Sequence, residues 1–90
     1  MDRRELPKDS SGNPYVEVGN LRVTFVTATN RPAEKDWAGQ DVLRFQAYRG
    51  EGHSLFQGPE LPLGGSDESQ HVLIELIEGL GALYRQAKAR

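Results

Sequence analysis

The residues able to do chemistry in this chain are few and scattered. His53 and His71 fall in neither an H-x-x-x-H nor an H-x-x-E-H spacing, so no helix face carries two imidazoles toward one metal ion. Ser10, Ser11, Ser54, Ser66 and Ser69 supply hydroxyls, but none sits at the centre of a G-x-S-x-G elbow. Asp67 with Glu68, and Glu75 with Glu78, are paired acids, yet their spacing puts them in the first turn or on the solvated side of a helix. Paired carboxylates that cleave a glycosidic bond must instead face one another across a cleft. Leu63-Gly64-Gly65-Ser66 places glycines ahead of a helix N-terminus, where backbone N–H groups can hold an anion. No lysine follows, and Asp67 and Glu68 repel anions there. The chain has no cysteine, which removes disulfides, thiolate zinc sites and cysteine nucleophiles. The expectation is a non-enzyme with no catalytic, cofactor-binding or metal site.

What remains is a set of arginines and aromatics, and these depend on strands to bring them together. Tyr15-Val-Glu-Val18 and Leu21-Arg-Val-Thr-Phe-Val-Thr27 alternate around Gly19-Asn20, the pattern of a hairpin with a primed turn. Asp41 to Arg49 reads as a third strand, Gly50-Glu51-Gly52 as a tight connection and His53 to Gln57 as a short fourth strand. Gly58 to Leu63 contains Pro59 and Pro62, which block ladder pairing, and reads as an extended connector. If alternation holds, Val16, Val18, Leu21, Val23, Phe25, Leu43, Phe45 and Ala47 share a core face. Tyr15, Glu17, Arg22, Thr24, Val26, Arg44, Gln46 and Tyr48 then share the outward face. Arginine and tyrosine gathered on a sheet form a surface that stacks and hydrogen-bonds. The loop Thr29–Gln40 is long for a simple hairpin and carries the single tryptophan, Trp37. Two readings stand for that residue: a seal over the sheet edge, or a contact for a partner or a base.

The last third of the chain is the element everything else must accommodate. Leu73, Leu76, Ile77, Leu80, Leu83, Tyr84 and Ala87 recur at the three-and-four spacing of an amphipathic helix. Ser66 is the expected N-cap, with Asp67 and Glu68 in the first turn and Arg85, Lys88 and Arg90 at the other end, all favoured by the helix dipole. Ile74 lies off the stripe and marks a candidate dimer contact. Gly79 and Gly81 each weaken the helix by roughly 1 kcal/mol relative to alanine, which is tolerable where another backbone packs closely. The expected fold is α+β: an antiparallel four-stranded meander with one C-terminal amphipathic helix packed on one face. Residues 1–14 are expected to form a disordered or loose arm, and residues 15–90 a single domain.

The element order resembles the positive-cofactor-four family of transcriptional coactivators and its bacterial relatives. The resembling part runs from about Val18 to Leu83. Its best local match is Asp41-Val-Leu-Arg-Phe-Gln-Ala-Tyr48 followed by Gly58-Pro-Glu-Leu-Pro-Leu63 and the helix. The resemblance implies a dimer that binds single-stranded DNA across a curved sheet, with Arg44, Tyr48 and Arg22 as binding residues. This chain departs from the family pattern in its overall acidity and in the two prolines that interrupt the Gly-x-x-Leu step.

A net charge of −2 gives no general attraction to nucleic acid or to an anionic membrane. No apolar run approaches the roughly 20 residues of a membrane span, and the N-terminus lacks the apolar core of a signal peptide. The expectation is therefore a cytoplasmic, non-enzymatic interaction protein that pairs with itself and uses no cofactor. Its alternative is a single-stranded nucleic-acid binder working through Arg22, Trp37, Arg44 and Tyr48.

Overall fold

The structure is a computed structural model and describes residues 5–49 and 54–89. Four strands run in sequence order across one antiparallel sheet: β1 (Tyr15–Val18), β2 (Leu21–Val26), β3 (Asp41–Tyr48) and β4 (Leu55–Gly64). One helix, α1 (Ser69–Lys88), closes the chain and makes its main contact with β4. The α+β meander is as the alternation and the helical spacing predict. The Gly50-Glu51-Gly52 connection and His53 lie outside the described residues.

Local chemistry explains each junction. The β1–β2 turn has Gly19 at φ 60, while Asn20 stays out of the left-handed region, so the turn is of the II′ kind that glycine permits. β4 is longer than expected because it continues through both prolines. It lies at the sheet edge, where a missing N–H costs no ladder bond, and its register shifts between Arg44↔Glu60 and Gln46↔Gln57. Gly58 sits in that irregularity so close to β3 that an added Cβ would lie 2.8 Å from the Phe45 carbonyl oxygen. The helix begins three residues later than its expected cap. Gly65 to Glu68 form a turn in which the N–H groups of Glu68 and Ser69 both donate to the Gly65 carbonyl. Ser66 therefore does not cap, and Asp67 and Glu68 precede the first turn.

The arm expected to be loose makes backbone hydrogen bonds from Pro7 onward. Asp9 accepts from the N–H groups of Ser11 and Asn13 in a tight turn, and the Tyr15 N–H donates to the Pro7 carbonyl. Asn13 is buried and accepts from Asn30 of the β2–β3 loop at 3.0 Å. Arm and loop together close over one end of the outward face. There Thr24, Val26 and Val42 are almost fully buried, alongside Leu63.

Part of the face expected to be open is thus covered, and part of the apolar face, which buries Leu43, is left open. Val16 and Val18 of the apolar face remain 40% and 68% exposed. Along the helix Ile77, Leu80, Leu83 and Tyr84 are exposed as well. A groove of about 540 Å³ runs between this face and the helix. It is lined by Val16, Val18, Leu21, Val23, Phe25 and Phe45 from the sheet and by Leu73, Leu76 and Leu80 from the helix. The helical stripe follows its predicted spacing but does not seal the sheet.

Candidate functional site

The candidate residues of the outward face separate into two clusters. In the first, Arg22 lies flat over Tyr15, with its guanidinium carbon 3.9 Å from the ring centroid. Its Nε donates to Glu17 Oε2 at 3.0 Å and its Nη2 to Tyr48 Oη at 2.8 Å, while Tyr48 Oη donates to the same Glu17 oxygen at 2.6 Å. The Tyr48 hydroxyl, followed by Arg22, holds the Glu17 carboxyl below its usual range, and that same bond raises the Tyr48 phenol. Arg22 and Tyr48 are therefore joined, as alternation places them, but Glu17 already takes the Tyr48 hydroxyl and the Nε and Nη2 of Arg22. The two acidic positions on this face, Glu17 and Glu60, take up much of the arginine charge that the composition suggested.

The second cluster sits at the other end of β3. Glu60 on β4 pairs across the sheet with Arg44 on β3. Its two oxygens accept from Arg31 Nη1 at 3.0 Å and Nη2 at 2.7 Å, and Oε2 also accepts from Arg44 Nε at 3.3 Å. The Arg31 guanidinium is the main cause holding Glu60 below the usual carboxylate range, against a smaller opposing effect of burial. Arg31 is itself buried and donates from Nε to the Asp36 carbonyl at 2.8 Å. It fastens the loop to the sheet from the loop's inner side.

These contacts frame a concavity of about 700 Å³ lined by Arg31, Lys35, Trp37, Arg44, Gln57, Gly58 and Glu60. Trp37 and Arg44, both named from sequence, meet here; Arg22 and Tyr48 do not line it. Trp37 is 44% exposed. It holds φ at 64°, the single non-glycine residue in the left-handed region among those described. Ile74 is 43% exposed on the flank of the helix, more so than Leu73 and Leu76 and less so than Ile77. Sequence reasoning missed Glu60. Glu60 lay in a segment read as a connector, so no face could be assigned to it.

Among the described residues no three potential metal ligands gather, and no helix is long and apolar enough to cross a membrane. Comparison with family models, curated proteins and solved structures gave no match for this chain.

Proposed function

We propose that this protein is a non-enzymatic interaction module that works as a homodimer, two copies pairing through the open groove and the exposed helix stripe. The observation that carries this is the surface one chain leaves uncovered. A 10.0 kDa folded monomer exposes about 5,200 Å² by the usual scaling with mass, whereas this chain exposes 7074 Å². The difference exceeds the roughly 800 Å² that each partner buries in a standard interface. The radius of gyration agrees, at 14.8 Å against about 12 Å for a compact chain of this length. Only Val26, Val42, Leu43 and Leu63 are buried apolar residues among those described, a small core for a marginal domain.

A second copy is the fitting occupant because the groove lining carries no charged side chain that would select a partner of opposite sign. A two-fold pair also lets one helix lie on the other chain's sheet, each patch meeting its own counterpart. Ile74 then flanks the contact and the Ile77–Tyr84 stripe forms its centre. The single-stranded nucleic-acid reading draws its support from Trp37 and Arg44 alone, since Arg22 and Tyr48 are held by Glu17.

Light scattering on the purified chain tests the proposal. The expected mass is twice the 10.0 kDa of one chain. A single-chain mass across the micromolar range would remove the dimer.

A further inference from the structure

The concavity beside Trp37 is built differently from an ordinary solvated sheet surface. Arg31 takes both oxygens of Glu60, and its Nε is spent on the Asp36 carbonyl. Arg44 reaches that carboxylate only through Nε, so among the described residues its two Nη atoms have no protein partner. Lys35 adds a second cation that forms no ion pair among the described residues. The lining thus holds three cations, Arg31, Lys35 and Arg44, against one carboxylate, Glu60, with Asp9 near Arg44 and Asp36 near Arg31 as the further acids whose charge reaches it.

Trp37 supplies the apolar wall of the same space. A left-handed bulky residue costs of order 1–3 kcal/mol and persists where its surroundings hold it. Here the holding contacts are the Arg31 bond to the neighbouring Asp36 carbonyl and the turn from the Gln40 N–H to the Trp37 carbonyl. The result is an indole lining the same space as a planar fork of N–H donors, a space of the size that small-ligand sites occupy. A guanidinium fork matches the paired oxygens of a carboxylate or phosphate.

We propose that this concavity binds a small organic oxyanion bearing a flat ring, the oxyanion on Arg44 with Lys35 and the ring against Trp37. The site lies on the opposite sheet face from the apolar groove, so it goes beyond the dimer reading and does not depend on it. Carboxylate and phosphate share the required chemistry.

Trp37 is the chain's only tryptophan, so its emission and its single indole N–H resonance both report on this position. Phenyl phosphate, benzoate, inorganic phosphate and phenol are titrated into the full chain at constant ionic strength. Phenyl phosphate or benzoate is expected to perturb Trp37 saturably, and whichever acts at the lower concentration identifies the oxyanion. Inorganic phosphate is expected to need a concentration higher by about tenfold, and phenol to have no saturable effect. Arg44→Gln, and separately Lys35→Gln on the exposed loop, should each weaken the aryl oxyanion by about tenfold, the loss of one charge-assisted contact. A response to phenol equal to that of phenyl phosphate would overturn the proposal, as would unchanged binding in both variants. A response to oligothymidylate without one to either aryl oxyanion would overturn it in favour of single-stranded nucleic acid.

Discussion

Arg31 and Glu60, 29 residues apart in sequence, meet in a two-pronged ion pair of 3.0 and 2.7 Å. The arginine side chain is 3% exposed and the glutamate side chain 25%. The pair joins the long β2–β3 loop to the edge strand, and so fixes where Trp37 and Lys35 stand relative to Arg44. Arg31→Ala leaves Glu60 with only the longer Arg44 contact and should cost about 3 kcal/mol of stability, as removing one member of a buried pair does. Urea unfolding measures it. A cycle with Glu60→Gln should show coupling of about 1 kcal/mol or more; additive losses would mean the pair does not act as a unit.

Acid should loosen the same region. Glu60 is held below its ordinary value of 4.5 in the folded state, chiefly by the Arg31 bond. A depressed folded pKa contributes stability that is complete above the unfolded value and lost as pH falls through the folded one. The unfolding midpoint should therefore be flat from neutral pH to about 5 and fall below 4.5. Asp9 has a lowered carboxyl too: burial opposes the shift, but the bonds from Asn13 and Ser11 outweigh it. Asp9 adds to the acid loss, so the Glu60→Gln variant should show a shallower fall, not a flat line. Equal slopes in the two proteins would remove Glu60 from the explanation.

Gly58 is required by close approach of two backbones and not by its dihedral angles. A methyl group there meets the Phe45 carbonyl oxygen at 2.8 Å, a backbone atom and not the end of a flexible side chain. Gly58→Ala should destabilise by about 1–3 kcal/mol, in the range of overpacking in a tight site. Gly79→Ala serves as the contrast, since nothing lies within 4 Å of its added Cβ within one chain. Thermal unfolding of the two variants checks the difference.

Leu80→Glu separates a dimer surface from an idle one. Leu80 is 56% exposed in the single chain, so a carboxylate there costs the monomer little. Buried against a second copy, it would bring an unpaired charge into an apolar contact, which is strongly unfavourable. The expected outcome is a halved mass by sedimentation with helical circular dichroism retained at high protein concentration. An unchanged mass would place the contact elsewhere on the chain.

The alternation of β1, β2 and β3 and the three-and-four spacing of α1 were legible because each follows from the local period of apolar residues. The fourth strand was only half legible. Pro59 and Pro62 argue against ladder pairing in general, and only the neighbour strand shows that β4 is an edge with a bulge, where both are tolerated. Glu60 was hidden by the same ambiguity. Arg22 and Arg44 were correctly placed on one face, but Glu17 and Glu60 decide how much of their charge is left to offer. That depends on cross-strand register, which a one-residue irregularity resets.

The sequence by itself determined the strand order, the amphipathic character of Leu73–Ala87, and the absence of cysteine chemistry. These rest on residue type and spacing along the chain. Only the tertiary structure decided which parts of each sheet face are covered. Thr24 and Val26, on the face read as outward, are buried, while on the face read as core Leu43 is buried and Val16 and Val18 are exposed. Alternation shows that two faces differ but not which one a loop and an arm fold over. Asn13, Asn30, Arg31 and Glu60 settle that through contacts between segments far apart in sequence, which no local period records.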